Sequence, residues 1–260
     1  MNFFAIYKKQ VGTGMYFLKK SIFLNFIFNE KIIKLKRISY FMTNYVMGLF
    51  GLSPDDKVVD SCEFGNKNGM KLKVINYGAT VTSLEIPLKN GGVLDVVLGF
   101  DTLDSYIKSF DLAGAPYFGA TVGRFAGRIN NSVFSLNGKT HHLNKNNNNH
   151  SLHGGKIGFS QKIWEIQEKQ EEGNPSVTLV YCSPDNEEHY PGDLTVELTY
   201  SISEENEFIV EYKATATEDT VLNLTHHSYF NLDGHQSTIS DQELTVNSEK
   251  IVETTDENIP

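Results

Sequence analysis

The chain has 260 residues, of which 40% are apolar and 12% are aromatic, so it can bury a sizeable core and is not a wholly disordered protein. Its net charge of −9 is unevenly distributed, because residues 1–41 carry eight lysines and arginines against one acid, which leaves a charge of −16 on residues 42–260. A phosphate backbone attracts basic surfaces, so this acidic body argues against a nucleic-acid partner.

Residues 1–41 differ in composition from the rest of the chain. They are rich in Phe, Ile, Lys and Asn, and the apolar run 21–28 is too short to span a bilayer. No small-residue cleavage site follows that run, as a signal peptide would require. We expect residues 1–41 to be a non-core extension, with an over-extended start and initiation at Met42 or Met47 as one interpretation, and we expect no membrane association.

The cysteine content indicates the compartment. Cys62 and Cys182 are the two cysteines, and they lie far apart with no Cys-x-x-Cys pattern between them. Two cysteines do not form a disulfide framework, so this usage favours a reducing environment. We therefore expect a cytoplasmic protein.

From about residue 58 the chain shows the period-two alternation of half-buried antiparallel strands. The clearest stretches are 177–182, 196–202 and 210–216, in which Val, Leu, Ile, Tyr or Ala alternates with Thr, Ser, Glu or Lys, or with Val180 and Cys182 in the first stretch. No stretch combines a sustained 3.6-residue period with caps, and alternating strand–helix units are absent, which argues against a parallel sheet. The pattern predicts an all-β protein, a large antiparallel β-sandwich in one domain.

The segment before the histidines has a turn signal and a polar run. Asn137-Gly138 lies between two short strand-like runs and predicts a two-residue hairpin. The run 144–149, Asn-Lys-Asn-Asn-Asn-Asn, is interpreted as a solvated loop leading into His150.

All eight histidines lie between residues 141 and 235. The functional question is therefore concentrated in about a third of the chain, because histidine titrates near neutral pH.

Three histidines are candidates for chemistry. His153 precedes Gly154-Gly155, which lets the backbone turn sharply or approach a ligand closely; its imidazole either lines a cleft or only satisfies loop groups. Neighbours in a strand point to opposite faces, so only one of His226 and His227 can face a given cleft. A metal site is disfavoured, because the chain has no His-x-His pair of the kind that shares one strand face.

Arginine and aromatic residues accompany these histidines. Arg124 and Arg128 lie four residues apart, and a guanidinium fork suits either vicinal hydroxyls or a salt bridge. Tyr229 and Phe230 could give an apolar face to a sugar ring or simply pack in the core.

These runs together resemble the galactose mutarotase, or aldose 1-epimerase, family. The resemblance covers about residues 60–260 and consists of Asn-Tyr-Gly-Ala at 76–79, Asp-Val-Val-Leu-Gly-Phe at 95–100, Pro-Tyr-Phe-Gly at 116–119, Gly-Arg-Phe-Ala-Gly-Arg at 123–128, Ser-Leu-His-Gly-Gly at 151–155, Ser-Pro-Asp at 183–185 with Tyr-Pro-Gly at 190–192, and His-Ser-Tyr-Phe-Asn-Leu at 227–232. It implies a mutarotase-like sandwich that interconverts the α and β anomers of D-galactose and D-glucose through the open-chain aldehyde, without a cofactor or metal.

The resemblance also implies roles for particular residues. His227 matches the general acid that protonates the ring oxygen, and His153 matches a second histidine that contacts the sugar. Arg128 matches the arginine that binds hydroxyls, and Gly127, Ser228 and Tyr229 fall in substrate-contacting runs.

The sequence departs from the family pattern in three places. Gly127 and His226 stand where the family commonly has Asn. The family also continues well beyond Pro260, through a segment that carries its general-base glutamate. We therefore expect an incomplete sandwich and impaired catalysis.

Two other functions remain open. A hexose-6-phosphate 1-epimerase would need extra basic residues, which the charge of −16 disfavours. A non-catalytic sugar-binding sandwich would fit a chain that keeps His153, His227 and Arg128 but lacks the base. In each case the expected partner is a small-molecule hexose, and the expected state is a monomer.

Overall fold

The structure, a computed structural model, describes residues 45–170 and 173–260. The extension expected over residues 1–41 lies outside the described residues, and so does Met42, one of the two alternative initiators. The domain expected over residues 42–260 is described from Tyr45 onward.

The described residues form fifteen strands and one α-helix. The strands are β1 (Val46–Leu52), β2 (Val58–Gly65), β3 (Lys71–Ile75), β4 (Thr80–Pro87), β5 (Val93–Asp95), β6 (Thr121–Val122), β7 (Arg128–Ile129), β8 (Val133–Leu136), β9 (Lys139–His142), β10 (Ser151–Leu152), β11 (Glu165–Gln170), β12 (Ser176–Ser183), β13 (Leu194–Ile202), β14 (Phe208–Ala216) and β15 (Thr225–His226). The helix, α1, is Leu103–Ser109, and 3-10 turns occupy Asn130–Ser132, Phe159–Gln161 and Glu187–His189.

Two antiparallel sheets enclose the core. Strands β1 to β5 form one sheet in sequence order, and β11 to β14 form the other. A single cluster of buried side chains draws on both sheets, with Phe64, Leu72 and Val81 on the first and Leu179 and Leu198 on the second. This arrangement confirms the predicted all-β antiparallel sandwich, because apolar faces of two sheets are buried against each other.

The alternation in the sequence matches the side-chain directions in the second sheet. Strands β12, β13 and β14 cover the three predicted stretches. The apolar members of the alternation in β13, from Val196 to Ile202, are buried, while the intervening Glu197 and Thr199 are partly exposed. Antiparallel sheets that cover a core on one face produce this pattern.

The turn prediction is confirmed, and one helix was not predicted. Asn137 and Gly138 join β8 to β9 with φ values of 52° and 76°, as a hairpin of this type requires. Helix α1 has seven residues, about two turns, and is capped by Thr102, whose Oγ1 accepts from the Ser105 N–H at 3.2 Å. So short a helix does not produce a sustained 3.6-residue period.

Two small strand pairs bring the histidine and arginine runs together. Strand β7 pairs with β10, so that Arg128 lies opposite Leu152, directly before His153. Strand β6 pairs with β15, so that His226 lies opposite Thr121. None of the helices within residues 45–170 and 173–260 has the length and apolar character that crossing a membrane would need.

Candidate active site

His153 lies at the first central position of a tight turn. The Gly155 N–H donates to the Leu152 carbonyl at 3.2 Å, and His153 and Gly154 between them have φ values of 55° and 90°. Two consecutive positive φ values define a type I′ turn, and a non-glycine residue adopts this conformation at a cost. Gly154 is required here, because a Cβ would lie 1.8 Å from the Gly123 carbonyl oxygen.

Two hydrogen bonds to Gly127 fix the orientation of the His153 imidazole. The His153 N–H donates to the Gly127 carbonyl at 3.0 Å, and the Gly127 N–H donates to His153 Nδ1 at 3.1 Å. Since Nδ1 accepts a hydrogen bond, the neutral ring carries its proton on Nε2. Gly127 thus contributes to the site through its backbone, which sequence reasoning did not anticipate.

His227 follows β15 and is held by the backbone of a neighbouring turn. Its N–H donates to the Ala120 carbonyl at 2.9 Å, and its carbonyl accepts from the Gly119 N–H at 3.2 Å. The centroid of its ring lies 5.4 Å from that of His153 and 5.4 Å from that of Tyr229. The structure therefore brings together both histidines and Tyr229, which the sequence assigned to one site.

His226 and Ser228 lie on the opposite face of this segment. The His226 ring packs against Tyr200 and Phe208, and its Nε2 is 2.7 Å from Ser228 Oγ. The expectation that adjacent histidines point to opposite faces is confirmed. The structure does not bring the Ser228 hydroxyl to the His227 side, because residues two apart on an extended chain share a face.

Tyr117 is a member of the site that sequence reasoning missed. Its ring centroid lies 4.9 Å from that of His153 and 5.6 Å from that of His227, so it packs against both. Its backbone has a φ of 50°, and burial raises the pKa of its hydroxyl. The run at 116–119 carried the only sequence signal, which pointed to the family but not to a role.

The polar loop at 144–149 holds the site rather than being only a solvated loop. Asn147 Oδ1 accepts from Arg128 Nε at 2.9 Å. Asn146 Oδ1 accepts from the Leu152 N–H at 2.7 Å, and its Nδ2 donates to the carbonyls of Leu152 and Gly155 at 2.9 and 2.7 Å. Asparagine is suited to this task, because one amide both donates and accepts.

Comparison of the sequence with known proteins identifies the family. The family model of aldose 1-epimerase matches residues 60–260.

The chain belongs to the aldose 1-epimerase family.

Curated relatives and solved structures agree with this assignment. The chain is 40% identical over 192 residues to the galactose mutarotase of Bos taurus, covering 74% of this chain and 53% of that protein. It is 31% identical over 209 residues to the aldose 1-epimerase of Escherichia coli, covering 80% and 58%. The crystal structure of an aldose epimerase homologue from C. elegans matches with a TM-score of 0.61 at 38% identity, covering 66% of this chain and 51% of that one. The chain spans about half the length of the curated relatives it matches.

Burial keeps both histidines of the candidate site neutral at neutral pH. Desolvation lowers the pKa of His153 to about 3, with smaller contributions from His227 and from the positive charge of Arg128. Desolvation also lowers the pKa of His227. Within the part of the chain that the structure describes, neither imidazole forms an ion pair with a carboxylate, which would have opposed these shifts.

Arg124 is not part of the site. Its side chain is 2% exposed and donates to Ser183 Oγ, to the Ser183 and Pro184 carbonyls and to the Pro191 carbonyl at 2.8–3.0 Å. Of the two arginines in the family motif, it is Arg128 whose positive charge contributes to lowering the pKa of His153.

A second cleft lies apart from His153 and His227. A cleft of about 620 Å³ opens between the β8–β9 hairpin, the segment around Asp185 and Glu218, and it is not lined by His153 or His227. No group of three or more His, Cys, Asp or Glu side chains in residues 45–170 and 173–260 is arranged to hold a metal ion.

Proposed function

We propose that this protein is built for the aldose 1-epimerase reaction, the interconversion of the α and β anomers of D-galactose and D-glucose in hexose metabolism. The observation that carries the proposal is the pair of imidazoles with ring centroids 5.4 Å apart, beside the guanidinium of Arg128. The names of the relatives, galactose mutarotase and aldose 1-epimerase, support the same reaction class.

The site provides the groups that ring opening needs on one side of the sugar. Opening a cyclic hemiacetal removes a proton from the anomeric hydroxyl and adds one to the ring oxygen. We assign proton donation at the ring oxygen to His227 and sugar contact to His153, whose Nε2–H points away from Gly127. Arg128 would bind hydroxyls with its two terminal nitrogens, which have no hydrogen-bond partner among the described residues, and Tyr229, 44% exposed, would cover an apolar face of the ring.

We further propose that catalysis by the 260-residue chain is impaired. A neutral imidazole is a weak acid, and burial lowers the pKa of His227. A carboxylate paired with it would stabilise the imidazolium, but among the described residues it is His150, not His227, that pairs with a carboxylate, that of Glu257 at 3.4 Å. We therefore assign no general base for the anomeric proton among the described residues.

Polarimetry of freshly dissolved α-D-galactose, corrected for the spontaneous rate, tests these assignments. We expect a weak acceleration by the wild-type chain that His227→Ala abolishes. The exposed His142 in β9 gives a matched control, and His142→Ala should leave the rate unchanged. Strong acceleration by the chain would refute the impairment, and a rate that survives His227→Ala would refute the role of His227 as the acid.

A non-catalytic sugar-binding protein is the second candidate, favoured because neither His153 nor His227 pairs with a carboxylate among the described residues. Calorimetry would then show galactose binding without any rate enhancement. A hexose-6-phosphate 1-epimerase is the third possibility, and competition by galactose 6-phosphate would favour it.

We also propose that residues 42–260 belong to one mutarotase-like β-sandwich domain and that the protein is a cytoplasmic monomer. Tyr45, near the start of this range, stacks on Phe64 of β2 with ring centroids 5.2 Å apart, which supports the boundary. Expression from Met42 followed by sedimentation analysis tests both the boundary and the monomer.

A further inference from the structure

The carboxylate of Glu188 binds the loop that leaves the His153 turn. Its Oε2 accepts from the Lys156 N–H at 2.9 Å, and its Oε1 accepts from the Ile157 N–H at 3.1 Å. Oε2 also accepts from Asn144 Nδ2 at 2.8 Å. One side chain, 35 positions further along the chain, thus joins both segments that flank His153, and hydrogen bonds to an ionised acceptor are stronger than neutral ones.

The fit between Glu188 and the loop is close. A Cβ on Gly155 would lie 2.2 Å from Glu188 Oε2. Any other residue at position 155 would therefore clash with the carboxylate. Glu188 itself has a φ of 48°, and its neighbours Asn186 and His189 have φ values of 65° and 68°. Three left-handed residues within four positions persist where surrounding contacts determine the backbone.

The His153 turn needs external support on this side. His153 has a left-handed backbone, and Asn146 holds the turn from the other side through Leu152 and Gly155. Without Glu188, the amides of Lys156 and Ile157 lose their acceptors, and the turn is free to relax toward conformations that L-residues prefer.

We propose that Glu188 is a positioning residue for His153: its carboxylate fixes the backbone that follows the type I′ turn and thereby holds the imidazole against Tyr117 and His227. The proposal rests on the proposed function only in calling this place the active site. Glu188 acts through the loop, and none of its hydrogen bonds reaches either imidazole.

Nuclear magnetic resonance of the histidine side chains and backbone amides tests this role without requiring activity. In Glu188→Gln we expect amide exchange at Lys156 and Ile157 to accelerate at least about tenfold, because a neutral acceptor binds more weakly. We also expect water to reach His153, whose pKa burial lowers to about 3 in the wild type, so that its imidazole titrates at a higher pH in the variant. Glu188→Ala should enlarge both effects.

Glu197→Gln is the matched control. Glu197 pairs with Lys213 on the second sheet, so this variant makes the same charge change without touching the loop, and both signals should stay as in the wild type. Unchanged His153 signals in a folded Glu188→Gln protein would overturn the proposal, even if the two amides exchange faster. If Glu188→Ala fails to fold, the Gln variant decides. A chain that neither binds nor converts galactose would refute the proposed function but leave this test intact.

Discussion

The two arginines of one motif, four residues apart, have opposite surroundings. Arg124 is buried, and its guanidinium is satisfied by three backbone carbonyls and Ser183 Oγ. Arg128 is half-buried, and within the described residues only its Nε donates a hydrogen bond, to Asn147 Oδ1. A satisfied buried cation organises the fold, whereas a fork with unused donors at a surface is available to a ligand.

The region around Arg124 is a polar network within the protein. Burial raises the pKa of Glu187, but hydrogen bonds from Lys162, Ser183 and Tyr181 lower it more, so that the net pKa is lowered and Glu187 is ionised. Burial lowers the pKa of Arg124, and the negative charge of Glu187 raises it and so offsets part of that effect. The histidine site has no such compensation among the described residues, which explains why its imidazoles are neutral while the network is charged.

Replacing Arg124 gives the largest expected effect. Arg124→Met should lower the free energy of unfolding by about 3–5 kcal/mol, because it leaves the carbonyls of Ser183, Pro184 and Pro191 buried with fewer donors and removes a positive charge near the ionised Glu187. Urea denaturation followed by tryptophan fluorescence measures it, since Trp164 is buried in the core. If the free energy of unfolding falls by less than about 1 kcal/mol, the network around Arg124 is dispensable, and Arg124 does not have the structural role that distinguishes it from Arg128.

The fold was more predictable than the site, for a physical reason. Side-chain alternation in β12 to β14 is a local property, and so is the left-handed conformation that Asn137-Gly138 favours. The site instead depends on contacts between distant segments, such as Asn147 with Arg128 and Glu188 with the loop at 155–157. A period in the sequence does not encode such contacts.

The residues that were missed share one property. Tyr117, Asn146 and Glu188 act on the histidines through packing or backbone hydrogen bonds, so their residue types alone do not indicate a role. The positive φ of Tyr117 and Glu188 is equally invisible in the sequence, because neither is the glycine or asparagine that usually marks it. His153, His227 and Arg128 were predictable as candidates because the chemistry that we propose for them lies in their own side chains.

Lowering the pH tests whether burial keeps the histidine side chains uncharged in the folded protein. Desolvation, and secondly His227, lowers the pKa of His226 to about 3, below the ordinary value of 6.5. Its contribution to stability is therefore complete above about pH 6.5 and is lost as the pH falls toward 3, at up to roughly 1.4 kcal/mol per pH unit. The His226→Asn protein should lose about 2 kcal/mol less than the wild type between about pH 6 and 4.5, measured as the free energy of unfolding in urea. Parallel pH profiles of the two proteins would mean that His226 is protonated in the folded state.

The smallest effect on stability, and the sharpest on binding, is expected at Arg128. Arg128→Ala removes one hydrogen bond, to Asn147, so the free energy of unfolding should fall by about 1 kcal/mol or less. Galactose affinity measured by calorimetry should fall at least about tenfold, since donors from a charged group to hydroxyls are lost. Arg128→Lys keeps the charge without the planar fork and should recover only part of the affinity. If Arg128→Ala instead destabilises the protein as much as Arg124→Met, the fork is structural, and the two arginines do not divide fold from function.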